Sequence, residues 1–324
     1  MQRINDDIKT GQLKKSYLLC GEEAYLRKQY RDRLKEAIIG DDTMNYYYHE
    51  GKELSTGEII DLSETLPFFA ERRLILLENS GLFKSGGEQL AEYMSKIPES
   101  TVFLFVEQDV DKRSKMYKAV KANGYICEIN RQTEKDLSMW AARIFAHDGK
   151  KITNANMSYL IGNVGTDMEV LSREIEKLIS YDLDKDVISK EDIDAVCIKQ
   201  LNVRIFDMVD AISVKNQKKT LDCYYELVKE PPMRILFMVS RQFNLILQAK
   251  DLSARGMDRN AIASVMGVQG FIASKSINQS RNFSVNELKL ALADCVATEE
   301  NIKKGIMDEN IGVEMLLVKY SRKN

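Results

Sequence analysis

Histidine is nearly missing from this 324-residue sequence: His49 and His147 are the only two, so histidine-based catalysis and histidine-rich metal sites are both poorly supplied. Cysteine is sparse and badly placed for pairing. Cys20, Cys127, Cys197, Cys223 and Cys295 are odd in number and far apart, and most lie inside apolar runs. That pattern fits buried reduced thiols better than a disulfide framework or a zinc site. No apolar stretch approaches the roughly 18 residues that a bilayer span requires. The opening MQRINDDIKT carries acids early and lacks an apolar core, so it does not read as a signal peptide, and a cytosolic location is expected. An excess of positive charge is lacking too. The 47 basic and 49 acidic residues give a net charge of −2, and no third of the chain is a basic slab, whereas a protein that gripped DNA alone would show a stronger positive bias.

What is present is ordinary globular material, 44% hydrophobic and 30% charged, in a chain long enough for two or three domains at about 100 to 200 residues each. Residues 1–132 alternate strand and helix. YLLC (17–20), YYYHEG (46–51), RLILLEN (73–79), TVFLFVEQ (101–108) and YICEIN (125–130) read as strands. Helices are expected from about Glu22 to Ile39, over GEIIDLSETL (57–66) and over KRSKMYKAVKAN (112–123). This is an α/β layer with a mostly parallel sheet. After Arg131 the pattern turns to helices only: TEKDLSMWAARIFAHDG, MSYLIGNVG, DMEVLSREIEKLISY and ISKEDIDAVCI make a group of four, and a second helical region opens at RIFDMVDAISVK and is interrupted at Pro231–Pro232. Changes of periodicity place the boundaries near 132 and 202, giving segments 1–132, 133–202 and 203–324.

The stretch SYLLCGEEAYLRKQY (16–30) has the strand, turn and helix of a phosphate-binding loop. Such a loop needs a second glycine at the sixth position, then lysine, then Ser or Thr. Counting from Gly21, those positions hold Leu26, Arg27 and Lys28, and Glu22 and Glu23 put carboxylates at the helix N-terminus that a phosphate would use. The apolar strand TVFLFVEQ ends in Val106–Glu107, without the aspartate that would hold magnesium beside the glutamate. The spacing describes nucleotide-binding architecture without nucleotide chemistry; an unrelated α/β sheet would account for the same strands.

Other features admit plain readings. Asp182, Asp184 and Asp186 suggest a calcium loop, but Val187 and Ile193 stand where Gly and Glu are required, so a solvated acidic loop is expected. The basic helices LRKQYRDRLK and DKRSKMYKAVK read as solvated faces. Trp140, among Met139, Ile144 and Phe145, reads as helical core. In PFFAE, Pro67 stops the preceding helix and presents Phe68 and Phe69 on a connection, where the rings either fold under as core or face solvent. DRNAIASVMGVQGFIASKSINQS (258–280) has helix-turn-helix spacing around Ala261, Ile262 and Gly267, so a DNA-binding regulator is the rival reading, with Lys275, Asn278, Gln279 and Arg281 for base edges.

Four segments in order, YLLCGEEAYLRKQYRDRLKE, LPFFAERRLILLEN, DKRSKMYKAVKANG and ENIKKGIMDENIGVEMLLVKY, resemble the delta subunit family of the bacterial clamp loader, part of the DNA polymerase III holoenzyme. The resemblance runs over the whole chain. It implies an α/β plus all-α fold: an AAA+-type α/β domain with a degenerate P-loop (1–132), a small helical lid (133–202) and a C-terminal helical collar for oligomerisation (203–324). It implies no catalysis and no cofactor or metal. The implied partners are the sliding clamp (beta), the delta-prime and tau/gamma type loader subunits, and primed DNA within the complex, in the bacterial cytoplasm at the nucleoid. It makes Phe68 and Phe69 an apolar wedge for the clamp, shaped by Leu66 and Pro67. One departure is Gly270 in VQGFIASKS, where the family often has proline.

Overall fold

The computed structural model describes residues 1–181, 185–198, 201–227, 229–268 and 270–322. They fall into two compact units, Met1–Thr133 and Glu134–Asn324. The first runs α1 (Gln2–Thr10), β1 (Ser16–Cys20), α2 (Ala24–Ile39), β2 (Tyr46–Glu50), α3 (Thr56–Glu64), β3 (Arg73–Glu78), α4 (Glu88–Tyr93), β4 (Thr101–Glu107), α5 (Lys115–Asn123), β5 (Tyr125–Glu128). All five strands are parallel, in the order β2-β3-β4-β1-β5.

Position in the sheet explains the sequence of each strand. β1 and β4 are buried along their whole length and β3 nearly so, which is why they read as unbroken apolar runs. The edge strands β2 and β5 are only partly covered and carry polar positions. Leu18, Ile75, Leu77, Phe103 and Phe105 project from one face into a core with Phe83, Met116 and Val120. Two helices escaped the periodicity. In α1 only Ile4 and Asp7 are buried, and α4 has six residues, too few for a repeating stripe.

The second unit contains α6 (Glu134–His147), β6 (Lys151–Ile152), α7 (Asn154–Val164), α8 (Met168–Tyr181), β7 (Val187–Ile188), α9 (Lys190–Val196), α10 (Leu201–Ser213), α11 (Gln217–Tyr225), α12 (Pro232–Ala254), α13 (Arg259–Met266), α14 (Gly270–Ser280), α15 (Val285–Lys303) and α16 (Glu309–Ser321). The helices-only expectation is therefore corrected by a short parallel pair, Lys151 opposite Val187 and Ile152 opposite Ile188. Two residues per strand leave no alternation to detect. Trp140 is half-buried, while Leu137, Ala141 and Phe145 form the buried face of α6, so tryptophan is not the centre of that core. Pro232 starts α12, where its missing N–H costs nothing. Met208, Val209, Val239, Phe243, Leu288, Val313 and Leu317 bind α10, α12, α15 and α16 into one core.

Asp182 and Asp184 lie outside the described residues. Ile193, at the position a calcium loop would reserve for glutamate, is fully buried. No described helix is long and apolar enough to cross a membrane.

Candidate functional site

The parallel sheet has two ends, and each carries one of the segments singled out above. At the C-terminal end of β1, where a phosphate would sit, the turn is closed by the protein's own groups. The Ile129 N–H donates to the Cys20 carbonyl at 2.6 Å, and the Ile129 carbonyl accepts the Glu23 N–H at 3.1 Å. An amide that would face a phosphate is thereby used. Gly21 lies at φ +124°, and a Cβ there would stand 2.4 Å from the Ile129 oxygen. The glycine serves close backbone approach.

Arg27, at the lysine position, turns back and donates from its guanidinium to the Gly21 carbonyl. Leu26 is buried in the core and Lys28 is exposed. Glu23 caps α2, its carboxylate accepting the Tyr25 N–H at 3.4 Å. Glu22, expected at the same helix end, is instead paired with Arg131 at 3.1 Å, because the chain leaving β5 passes this side of the turn. On β4, Glu107 is buried and accepts from the Ser80 N–H at 2.9 Å and the Ser80 hydroxyl at 2.6 Å. Burial pushes its carboxyl above the usual range, against the lowering effect of those hydrogen bonds. It anchors the turn after β3.

At the opposite end, the connection from α3 to β3 carries the aromatic pair. Phe69 is 95% exposed, Leu66 80% and Phe68 58%, with Pro67 partly covered. The two rings meet edge to face with centroids 4.6 Å apart, so each shields part of the other. Of the two residue-level alternatives, the structure holds the solvent-facing one. Nothing about this loop is loose at its base. Arg73, buried at the first position of β3, donates to the Leu62 carbonyl at 2.5 Å, the Thr65 carbonyl at 3.0 Å and the Leu66 carbonyl at 3.4 Å. Those bonds tie the end of α3 and the first residues after it to β3, with the Leu62 carbonyl also accepting the Thr65 N–H at 3.3 Å. Asn45, 1% exposed, accepts the Phe68 N–H at 2.7 Å and donates to the Phe68 carbonyl at 2.9 Å. Its remaining amide proton goes to Asp42 at 2.6 Å, and that hydrogen bond holds the Asp42 carboxyl below its usual range.

Phe69 has φ +49°. A non-glycine residue in the left-handed region carries strain of roughly 1 to 2 kcal/mol and persists where its surroundings over-determine it. Asn45 and Arg73 were not read as site residues from the sequence. The available signal was Asp42-x-x-Asn45 ahead of a strand, the pattern of an Asx turn. Met44, beside Asn45, is also exposed.

The helix-turn-helix reading meets an obstacle in α13 and α14. Gly267 does end α13 in the left-handed region, but two of the four candidate reading side chains, Gln279 and Lys275, are engaged by other helices of the unit. Gln279 is 2% exposed; its amide donates to Asp210 at 2.8 Å and to the Phe206 carbonyl at 3.1 Å, and it accepts from Gln242 at 2.6 Å. Lys275 is tied to Asp210 at 3.0 Å. Only Asn278 and Arg281 are exposed. A helix packed on α10 and α12 in this way has few donors to offer a base edge. The basic helices of the first unit pair locally, Arg31 with Asp32 and Glu78, Arg113 with Asp111, and Lys112 with Glu128, as a solvated face would.

Residues 17–130 match the family model described as DNA polymerase III, delta subunit, and residues 202–320 match the one described as DNA polymerase III delta subunit, C-terminal domain. The chain is 26% identical over 333 aligned residues to DNA polymerase III subunit delta of Bacillus subtilis, covering 98% of this chain and 96% of that protein. It is 26% identical over 289 residues to a probable DNA polymerase III subunit delta of Aquifex aeolicus, covering 84% and 81%. Among solved structures it superposes on the DNA clamp loader delta protein of Bacillus subtilis with a TM-score of 0.72 and 25% identity, over 99% of both chains.

Proposed function

The chain belongs to the DNA polymerase III delta subunit family, and from that premise we propose that it grips and opens the sliding clamp through Phe68 and Phe69, without ATPase activity of its own. As a clamp-loader subunit of the holoenzyme it acts in DNA replication. The observation that carries the rest is the exposure of two adjacent aromatic rings on an anchored loop. Large exposed rings beside Leu66 are the material of binding hot spots. Burying one phenylalanine side chain is worth roughly 1.5 to 3 kcal/mol. That energy opens a ring only to the extent that the open form accepts the rings better than the closed form does. The partners in this reading are the beta clamp, delta-prime and tau/gamma type subunits, and primed DNA held by the assembly in the bacterial cytoplasm. Leu66 and Pro67 shape the wedge.

The absence of ATPase activity is supported by the filled turn: the Glu23 N–H is taken by the Ile129 carbonyl and the Arg27 guanidinium by the Gly21 carbonyl. Titration of the purified protein with micromolar ATP in a calorimeter is expected to give no binding heat, and turnover by the isolated chain would refute this part. Pull-down with the sliding clamp and with the ATP-binding loader subunits of the same cell tests the reading as a whole; retention of neither overturns it.

Assembly is assigned to the collar, 203–324, and clamp contact to 1–132. Because Met1–Thr133 is a compact unit with its own core, a fragment ending at Thr133 is expected to keep clamp binding and lose the loader subunits. Entry of that fragment into the complete loader, seen by size-exclusion chromatography, would contradict the collar's role.

A further inference from the structure

We propose that Asn45 is the positioning residue of the aromatic tip, holding Phe68 and Phe69 in their clamp-competent arrangement before the clamp arrives. This rests on the reading of the tip as the clamp contact. The geometry at Asn45 is a two-point clasp on one peptide residue: its oxygen takes the Phe68 N–H and its nitrogen gives to the Phe68 carbonyl. A neighbouring β-strand would supply the same pair of bonds. The orientation of the amide is settled by its partners, since Asp42 and the Phe68 carbonyl both demand donors and the Phe68 N–H demands an acceptor.

Two hydrogen bonds of a buried side chain are thus spent on the residue next to the left-handed Phe69, and a third ties that side chain to Asp42. Arg73 secures the loop on its other side through Leu62, Thr65 and Leu66. With Phe68 clasped and the helix end pinned, the backbone leading into the left-handed Phe69 is fixed. A contact loop already ordered in the free protein loses little conformational freedom on binding, so affinity is gained without added contact area. Neither Asn45 nor Arg73 projects a side chain to the tip, so the effect is exerted through the loop.

The test uses the full chain and the purified sliding clamp as probe, with association and dissociation followed at an immobilised clamp surface. Asn45→Ala is expected to weaken binding by about five- to twentyfold, the scale of one or two lost hydrogen bonds. In a background already carrying Phe68→Ala and Phe69→Ala, the same substitution is expected to change nothing further. Equal weakening in both backgrounds would make Asn45 a general stability residue and overturn the proposal, as would unchanged affinity of Asn45→Ala alone. If Phe68→Ala/Phe69→Ala itself leaves affinity intact, the fault lies with the tip reading. Hydrogen exchange on the unaltered protein decides the matter even if Asn45→Ala fails to fold. The Phe68 amide should be protected well above exposed loop amides, and exchange at the free loop rate would remove the clasp.

Discussion

Replacing Phe68 and Phe69 together by alanine is expected to leave the melting temperature nearly unchanged and to weaken clamp binding by more than about tenfold, at least about 2 kcal/mol. The stability half follows from exposure. Phe69 is 95% and Phe68 58% exposed, so little apolar surface returns to water on truncation, whereas a core phenylalanine cut to alanine loses about 3 to 5 kcal/mol. The backbone bonds from Asn45 to Phe68 do not involve either ring. The left-handed φ of Phe69 is equally awkward for alanine, so that strain cancels between the two proteins. The binding half follows from hot-spot behaviour, with both rings removed at once. Clamp opening should fail in the same variant, because the proposed wedge gives the two rings the differential affinity on which opening depends. A large fall in melting temperature would put the rings back into the core. Unaltered clamp affinity would remove the wedge from this loop.

The second large effect lies at the other end of the sheet. Gly21→Ala is expected to destabilise the first unit by about 3 kcal/mol or more, combining backbone strain with overpacking. In melting temperature that is a fall of about 10 °C for a unit of this size. The cause is steric: at φ +124° the new methyl would lie 2.4 Å from the Ile129 oxygen and 2.7 Å from its carbonyl carbon. Backbone cannot swing aside as a flexible side chain can, and the Ile129 carbonyl is held by the Glu23 N–H. Thermal denaturation followed by circular dichroism measures it; an unchanged melting curve would mean that β5 and the turn are not packed as described. Loss of any loader activity in this variant then reports a damaged fold, not a damaged nucleotide site. That separates it from the calorimetric test, which leaves Gly21 in place.

These two sites divide what could be read early from what could not. The alternation of strand and helix, the parallel sheet and the helical second half were legible in the sequence, because interior parallel strands are buried on both faces and so appear as apolar runs such as RLILLE and TVFLFVE. The departure from the phosphate-loop pattern was legible too, since Leu26, Arg27 and Lys28 differ in residue type from the glycine, lysine and Ser or Thr of that pattern. Such exclusions depend on residue type and local spacing alone. What Gly21 does was not legible, because its partner Ile129 follows β5, far along the chain, and only the pairing of β1 with β5 brings them together. The same holds for Glu107, whose carboxylate answers to Ser80 across two neighbouring strands. It also holds for α14, whose Gln279 reads as a surface residue until α10 and α12 pack over it.

Burial of Phe68 and Phe69 was open for this reason: whether a large apolar side chain is inside depends on what the rest of the fold places over it, and residue type states only a preference. Residue type by itself determined that this turn departs from the phosphate-loop pattern, with Leu26, Arg27 and Lys28 at the positions of glycine, lysine and Ser or Thr. Tertiary structure alone decided that the two rings stand in solvent, because Asn45 reaches Phe68 through the pairing of β2 with β3, and Arg73 is aimed at the end of α3 only once β3 is set in the sheet.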